Sequence, residues 1–545
     1  MATLALDQAP AATLPRAPRL DYQTHFLAKL LFAAIVLGGF AFAGWSVLTD
    51  TRGVGEELAL GAFAFLGLAL LIALGFEFVN GFHDTANAVA TVIYTNSMPA
   101  HFAVVWSGFF NFLGVMVSSG AVAYSIITLL PVDLLLNVGS SAGFAMIFAL
   151  LLAAVLWNLG TWYVGLPNSS SHTLIGSVLG VGLANQLIQA GSRGGTAGVD
   201  WSQAQKVLTG LWMAPLIGFF AALLLLFVMR MLVRKPELYC APEGDKAPPR
   251  GIRALLIFTC TAVSFSHGSN DGQKGMGLIM LILIGCAPTA YALNRTLPAS
   301  ATPAFVQTAN IAATTFDARS GGIDLPADQA RGVLTNALQQ RKAETPQVFA
   351  ALESLSRDLT ARVASYGSLS KVPAEATSNV RNDMYLVLDS TKLATKKPEG
   401  YSAGELTALK EYQSNLEAGT RFIPVWVKIV VALALGLGTM IGWKRIVVTV
   451  GEKIGKQHMT YGMGASAELV AAATILAADR FGLPVSTTHI LSSGVAGASV
   501  ASGSGLQART VRNLALAWLL TLPAAMLLSG GLYWVMLNAV RVFGL

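Results

Sequence analysis

Two short motifs in apolar surroundings each occur twice in this chain. The first reads GFHDTAN at residues 81–87 and GSNDGQK at residues 268–274. The second reads LPNSSSH at 166–172 and LPVSTTH at 483–489. An ionised carboxylate at membrane depth costs at least about 2.5 kcal/mol, so it is rarely placed there without a partner or a task. The paired carboxylates therefore predict a transporter whose substrate site lies between internal repeats.

The composition predicts a polytopic helical membrane protein. Of 545 residues, 54% are hydrophobic and 12% are charged, against roughly a quarter charged in soluble domains. Apolar runs of about 20 residues, the length of a membrane-spanning helix, recur along the chain. The net charge of +7 does not indicate nucleic-acid binding, because the basic residues lie in short clusters beside apolar runs, where they set orientation.

Those basic clusters predict how the chain threads the membrane. They lie at residues 230–253 and 444–456, and both are expected on the cytoplasmic side. The spans then alternate consistently between the two sides only if the stretch with Asp84 and the stretch with Asp271 each cross the membrane once. Each of them is predicted to be one long helix that is broken at its motif. The Asp84 helix runs from outside to inside and the Asp271 helix runs the other way. The two repeats are therefore predicted to be inverted.

The predicted fold is all-α, with about 11–12 transmembrane helices in two inverted repeats, broken or re-entrant helices and a soluble helical insert. The insert is polar, is predicted to lie outside, and accounts for the greater length of the second repeat. The predicted segments are a disordered N-terminal tail (1–26), a transmembrane helix and loop (27–57), the first repeat (58–230), a basic cytoplasmic linker (231–253), the start of the second repeat (254–295), the insert (296–423) and the rest of the second repeat (424–545).

The aspartate motifs predict a site for a coupling cation or a proton. Asp84 and Asn87 are three residues apart, so a carboxylate and an amide share one helical face. Asp271 with Asn270, Gln273 and Lys274 is the less symmetric counterpart. An ammonium at position 274 could neutralise Asp271 or attract an anionic substrate; a plain ion pair that fixes helix packing is the alternative.

The hydroxyl-rich motifs predict an anion site. Each places hydroxyls just after a proline and before an apolar stretch, which is typical of a helix start with unpaired backbone N–H groups. Hydroxyls and free N–H groups there form a neutral cradle that suits phosphate or sulfate. A single such run is more often a helix cap, but two matched copies favour a binding role. The hydroxyl residues are Ser169, Ser170, Ser171, Ser486, Thr487 and Thr488.

Other titratable groups lie in or near the motifs. Four of the seven histidines are there, and their titration range suits proton coupling, although a hydrogen-bonding role is equally open for each. These candidates for a proton relay are His83, His172, His267 and His489. Glu77 lies two turns before Asp84 on the same helix, where it either extends the cation path or bonds a neighbouring helix.

At these motifs the chain resembles the inorganic phosphate transporter (PiT) family, and most closely its bacterial low-affinity Pit-type permeases. The resemblance extends to residues 80–91, 266–275, 436–443 and 451–456. It implies inverted repeats, a homodimer in the plasma membrane (the bacterial inner membrane), and uptake of phosphate with a coupling cation. It assigns Asp84, Asn87 and Asp271 to coupling and the six hydroxyl residues to phosphate.

The resemblance also bears on the coupling ion. Bacterial Pit-type permeases are thought to use protons and to accept phosphate complexed with a divalent metal, whereas other branches use sodium. Here His83 stands where many relatives have Asn, and Lys274 stands at the position that matches Asn87. Both departures remove neutral oxygen ligands. We therefore expect proton coupling, with sodium as the alternative.

The sequence thus predicts a phosphate:proton symporter that works by alternating access, with no cofactor and no structural metal site. A symporter of sulfate or another oxyanion is the nearest alternative. An intramembrane Ser/His/Asp hydrolase is disfavoured because both serine runs are duplicated, whereas a nucleophile needs one asymmetric constellation. A receptor or scaffold role remains open for the insert.

Overall fold

The structure is a computed structural model that describes residues 20, 25–193 and 199–543, apart from the side chains of 85, 87, 189–193 and 543. The predicted N-terminal tail lies almost entirely outside the described residues. Of the described residues, 79% are helical, and none of them forms a strand. One isolated antiparallel bridge joins Gly455 and Leu506.

Ten α-helices precede the polar segment of the second half. They are α1 (Phe26–Gly53), α2 (Leu60–Tyr94), α3 (Ala100–Val117), α4 (Ala121–Ile127), α5 (Val132–Leu136), α6 (Ser141–Tyr163), α7 (Ser170–Arg193), α8 (Trp201–Leu232), α9 (Arg250–Cys286) and α10 (Pro288–Tyr291).

Ten more α-helices complete the described part of the chain. They are α11 (Ala301–Asp317), α12 (Ala327–Gln340), α13 (Pro346–Tyr366), α14 (Ala374–Ala394), α15 (Ala403–Thr420), α16 (Val425–Gly438), α17 (Lys444–Glu452), α18 (Tyr461–Arg480), α19 (Thr487–Ser502) and α20 (Ala508–Phe543). Short 3-10 turns occur at Pro236–Tyr239 and Leu369–Lys371.

Seven of the described helices are long and apolar enough to cross a membrane. They are α1, α2, α3, α6, α8, α18 and α20. An eighth crossing arises if α15 and α16, which are bent by 71° at their junction, count as one span. The prediction of 11–12 spans exceeds this number. The multi-pass membrane architecture is confirmed, and the larger helix count stays a prediction.

The helices that carry the two aspartates are continuous, and the prediction that they break there is wrong. The 35 residues of α2 and the 37 residues of α9 each form a single α-helix through the motif. Glycine in a helix interior costs only about 1 kcal/mol relative to alanine. Hydroxyls of α7 and α19 donate to Asp84, and Lys274 of α9 itself pairs with Asp271. The motif therefore needs no unwound backbone.

The chain breaks instead just before each hydroxyl run. Gly165 and Gly482 occupy matched positions in the two repeats, and both have a positive φ, of 72° and 62°. Glycine adopts this left-handed conformation without the steric penalty that other residues pay. Helices α7 and α19 begin immediately after these turns, so the hydroxyl runs lie at two helix N-termini, as the sequence predicts.

Glycines bring α2 and α9 close to their neighbours. A Cβ on Gly81 would lie 2.2 Å from the carbonyl oxygen of Leu435 in α16, and a Cβ on Gly268 would lie 2.1 Å from that of Asn111 in α3. No side chain fits in these gaps. The close crossings fix both aspartate-bearing helices in the centre of the molecule.

Helices α11 to α15, within the predicted insert, share an apolar cluster of their own. Its fully buried members include Phe316, Leu334, Leu355 and Leu409. Polar contacts attach these helices to the rest of the chain, among them Gln339 Nε2 donating to Asp133 Oδ1 at 2.7 Å. The segment is thus helical, as predicted.

Candidate functional site

The carboxylate of Asp84 lies where the two hydroxyl runs meet. Ser170, at the start of α7, donates to Oδ2 over 2.9 Å, and Thr488, at the start of α19, donates to Oδ1. Asp84 is only 3% exposed. Hydrogen bonds to a charged group contribute about 1.5–3 kcal/mol each, so hydroxyls from both halves of the chain hold this carboxylate.

Asp271 faces the same centre but has a cationic partner. Lys274 Nζ lies 2.6 Å from Asp271 Oδ2, and both side chains have 0% exposure. The same ammonium donates to Ser171 Oγ at 2.5 Å, and Ser171 in turn donates to the carbonyl oxygen of Val485 at 2.6 Å. Lys274 thus connects an aspartate of the second half to a hydroxyl of the first. The ion pair considered at the sequence level is present.

His267 lies between the two aspartates. Its Nε2 is 3.6 Å from Asp84 Oδ2 and 3.5 Å from Asp271 Oδ2. Its Nδ1 lies 2.5 Å from Asn111 Oδ1 in α3, which orients the ring. Ligand atoms of Asp84, His267 and Asp271 all lie within 4.8 Å of one another. Carboxylates and an imidazole can each bind a proton, and both kinds of group are ligands of divalent metals.

Two histidines close the hydroxyl runs. The rings of His172 and His489 pack at a tilt of 44° with centroids 4.4 Å apart, and His489 also packs on Trp518 at 4.3 Å. His172 Nδ1 lies 2.9 Å from Ser169 Oγ. The structure therefore brings the ends of the two runs into direct contact. His489 Nε2 is buried and has no hydrogen-bond partner among the described residues.

The remaining hydroxyls of the runs have different partners. Ser169 Oγ accepts from the backbone N–H of His172, and Ser486 Oγ accepts from that of His489, both over 3.1 Å. These two serines cap their helices, as the cap interpretation allows. Thr487 Oγ1 is buried without a hydrogen-bond partner in the described part of the chain, so its hydroxyl is available to a ligand.

The neutral residues of the second aspartate motif contact three neighbouring elements: Asn270 contacts the turn before α19, and Gln273 contacts α18 and α4. Asn270 Nδ2 donates to the carbonyl oxygen of Leu483 at 3.1 Å. Gln273 Nε2 donates to Asp479 Oδ1 at 2.5 Å, and its Oε1 accepts from the N–H of Val122 at 2.9 Å. Both side chains position backbone around the site. Their predicted place in a coupling site stays a prediction.

Glu77 and His83 lie beside the cluster of Asp84, His267, Asp271 and Lys274. Glu77 is fully buried and packs against Gly275 of α9, where a Cβ would meet its Oε1 at 2.5 Å. Its Oε2 accepts from Asn80 at 3.3 Å, and Oε1 has no hydrogen-bond partner among the described residues. His83 Nε2 lies 3.4 Å from Thr161 Oγ1. The side chain of Asn87, predicted to be a ligand, lies outside the described residues.

Sequence reasoning missed Asp479. Its Oδ2 accepts from Ser269 at 2.8 Å while Oδ1 accepts from Gln273, so it ties the end of α18 to the aspartate motif of α9. An acidic residue at the end of an apolar stretch was the available signal, but the first repeat has Trp162 at the matched position. Duplication in the sequence therefore gives no signal for Asp479.

The comparisons with known proteins concern nearly the whole chain. The family model described as "Phosphate transporter family" matches residues 80–529. "Low-affinity inorganic phosphate transporter PitA" of Escherichia coli (strain K12) is 45% identical over 497 residues, which cover 87% of this chain and 97% of that protein. "Low-affinity inorganic phosphate transporter PitB" of the same strain is 42% identical, covering 89% and 100%.

More distant proteins match over a similar length. "Probable low-affinity inorganic phosphate transporter" of Bacillus subtilis (strain 168) is 26% identical over 86% of this chain and 96% of that protein. A solved structure titled "The sodium-dependent phosphate transporter" aligns with a TM-score of 0.47 and 18% identity, covering 87% and 98%. This last likeness is too weak to transfer a topology or a coupling ion.

The family match and the near-complete coverage of close relatives agree with the buried polar centre and the apolar helices. The relatives are named as transporters, and nothing in their names describes an enzyme. This chain is therefore a multi-pass membrane transporter that belongs to the phosphate transporter family.

Proposed function

We propose that this protein imports inorganic phosphate across the plasma membrane by symport with protons, through alternating access of a site between two inverted repeats. The observation that carries the proposal is the convergence of Ser170 and Thr488 on Asp84. The two hydroxyl runs supply these donors from neighbouring rather than matched positions, since Ser170 aligns with Thr487 and Ser171 with Thr488. The carboxylate they share is buried. Anion-binding and cation-binding groups thus form one cluster.

The hydroxyl runs would bind the phosphate oxygens. Hydroxyls and backbone N–H groups at two helix N-termini provide donors without a formal positive charge. Ser171 and Thr487 lie in the runs beside Ser170 and Thr488, and Thr487 Oγ1 has no described partner. We propose that all six hydroxyl residues of the runs line this site, with Ser169 and Ser486 acting through the helix caps.

Hydrogen bonding supports a coupling mechanism. A serine or threonine hydroxyl has one proton to donate, and Ser170 and Thr488 give theirs to Asp84. While Asp84 is ionised, neither hydroxyl can donate to phosphate. Protonation of Asp84 removes the charge that attracts them and releases both donors. Proton binding and phosphate binding at this site would therefore favour each other, which is a requirement of symport.

Charge supports the same coupling. With both aspartates ionised, Lys274 protonated and the adjacent His267 neutral, these residues carry one negative charge, and the buried Glu77 lies beside them. Phosphate is itself an anion, and like charges repel strongly in a buried site. A proton on Asp84 would cancel the excess before phosphate enters. A phosphate complexed with a divalent metal would bring its own positive charge to Asp84, His267 and Asp271.

Alternating access and inverted repeats are supported by the matched geometry of the two halves. The turns at Gly165 and Gly482 share a left-handed backbone, and the helices after them meet at the two histidines. A rearrangement of one half against the other would expose the cluster to each side in turn. We also propose that the protein is a homodimer, which cross-linking in membranes can test.

Reconstitution in vesicles tests the proposal. Uptake of labelled phosphate is measured under a proton gradient and under a sodium gradient, each imposed alone. We expect accumulation with the proton gradient and none with the sodium gradient. Accumulation with sodium alone would favour the sodium-coupled alternative. Full inhibition by sulfate at a concentration comparable to phosphate would contradict phosphate specificity and favour a general oxyanion carrier.

A further inference from the structure

A large cavity separates the helices of the predicted insert from the membrane helices. Its volume is about 750 Å³, within the range of about 300–1,000 Å³ that is typical of small-molecule sites. The start of α8 and the turn after α18 form one side, and residues of α14 and α15 form the other. We call this cavity the vestibule.

Basic residues predominate in the vestibule. Its lining includes three carboxylates, Asp200, Asp389 and Glu417. Each of them has a basic partner: Arg341 pairs with Asp200, Arg421 lies 3.2 Å from Asp389, and both Lys392 and Arg421 pair with Glu417. The six cations of the lining are Lys206, Arg341, Lys392, Lys396, Arg421 and Arg480.

Three of these cations have no carboxylate partner among the described residues. They are Lys206, Lys396 and Arg480; Lys396 donates only to the Ser202 hydroxyl, over 3.3 Å. They lie in three separate places, in α8, in the turn after α14 and at the end of α18. A cavity with an excess of positive charge concentrates small anions from solution. The vestibule thus has the charge and the size for a small oxyanion.

Polar contacts hold the two sides of the vestibule together. Asp200 accepts from the backbone N–H groups of Ser202 and Gln203 at the start of α8, and it also binds Arg341 from the insert. Tyr124 donates to the carbonyl oxygen of Phe422 at 2.9 Å. The lysines therefore project from walls that are fixed relative to one another.

The floor of the vestibule adjoins the central site. Ala121 and Gly482 both line the cavity, and a Cβ on Gly482 would lie 3.3 Å from the Ala121 carbonyl oxygen. The next residue after Ala121, Val122, donates its N–H to Gln273. Gln273 precedes Lys274, the ammonium that contacts the hydroxyl run. Contacts from the lining thus reach, through Val122 and Gln273, the helix that carries Lys274.

We propose that the vestibule is a second, lower-affinity binding site for phosphate, which captures the anion before it enters the central site. This inference rests on the proposed phosphate transport. It gives the insert a role in capturing the anion, which the chemistry of the central site does not require. Lys206, Lys396 and Arg480 attract the anion, and the Ala121–Gly482 contact closes the way inward until the central site opens.

A charge-neutralising pair tests this role. The variant carries Lys206→Gln and Lys396→Gln, and the matched control carries Lys371→Gln and Lys410→Gln, two exposed lysines outside the vestibule. In vesicles with the insert facing the external solution, we expect the KM for labelled phosphate to rise about 3- to 10-fold in the variant, the low end of electrostatic rate effects. The maximal rate should not change. The rise should shrink in high salt, and the control should behave like the wild type.

A second readout does not depend on transport. Phosphate should protect Lys206 and Lys396, but not Lys371 and Lys410, from an amine-reactive reagent, as detected by mass spectrometry of the full chain. Equal KM values in the variant and the control, together with no selective protection, would overturn the vestibule proposal while wild-type uptake continues. Absence of wild-type uptake would instead contradict the proposed function. The protection of Lys206 and Lys396 by phosphate would then be the test of the vestibule.

Discussion

The hydroxyl of Thr488 donates a hydrogen bond to the carboxylate of Asp84, although the two residues lie 404 positions apart in the chain. The second oxygen of the same carboxylate accepts from Ser170 of the other hydroxyl run. Both halves of the molecule therefore contribute to one buried carboxylate. If Asp84 binds the coupling proton, its protonation changes the hydrogen bonds from the starts of α7 and α19 at the same time.

Asp84→Asn is expected to abolish concentrative phosphate uptake. An asparagine has an NH₂ group, which only donates, in place of one of the two acceptor oxygens. One of the two hydroxyls therefore loses its acceptor, and the side chain cannot take up a proton. Uptake in vesicles under a proton gradient measures the effect, with membrane expression measured in parallel. Normal accumulation by this variant would refute a coupling role for Asp84.

Ser170→Ala and Thr488→Val are expected to raise the KM for phosphate about 10-fold or more, since loss of a buried hydrogen-bonding partner costs about 1–3 kcal/mol and 1.4 kcal/mol is a factor of ten. Ser177→Ala is the matched control, because among the described residues that buried hydroxyl donates to the Thr173 carbonyl of its own helix. Kinetics of labelled phosphate uptake separate these outcomes. The account is wrong if the control and the two site variants show the same KM.

Lys274→Met is expected to destabilise the protein by about 3–5 kcal/mol, because it leaves the buried Asp271 carboxylate without its counter-ion. Thermal unfolding in detergent measures the loss. The double variant Lys274→Met with Asp271→Asn removes both charges and should recover much of the stability. A single Lys274→Met variant as stable as the wild type would show that the ion pair contributes little.

Asp271→Asn alone should abolish concentrative uptake.

Gly81→Ala is expected to lower the midpoint of thermal unfolding, with a loss of about 1–3 kcal/mol from overpacking. The new methyl group would lie 2.2 Å from the Leu435 carbonyl oxygen. Gly67→Ala in the same helix is the control, because a Cβ there meets nothing within 4 Å, and it should be neutral or slightly stabilising. Equal midpoints for the two variants would contradict the close crossing of α2 and α16.

Duplication in the sequence predicted much of the central cluster. The paired motifs placed Asp84 with Ser170 and Thr488 in one site, and the prolines and hydroxyls correctly indicated two helix starts. Such features are local, because capping chemistry depends on a few consecutive residues. The continuous course of α2 and α9 was not predicted, since glycines that permit a break also permit the close helix packing that is observed.

Contacts between helices that are distant in the chain could not be predicted from the sequence. Nothing in the spacing of Lys274 indicates that its ammonium contacts Ser171 as well as Asp271, because that contact depends on how α9 packs against α7. Asp479 lacks a counterpart in the first repeat, so duplication gave no signal for it. The vestibule is formed by α8, α14 and the end of α18, which are far apart in the chain.

Infrared difference spectroscopy of the reconstituted protein tests the coupling between Asp84 and phosphate most directly. Phosphate is added at constant pH, and the C=O stretching band of protonated carboxylic acids is recorded for the wild type and for Asp84→Asn. We expect phosphate to produce this band in the wild type and not in the variant. A phosphate-induced spectrum with no such band, or one that is identical in the variant, would contradict the account.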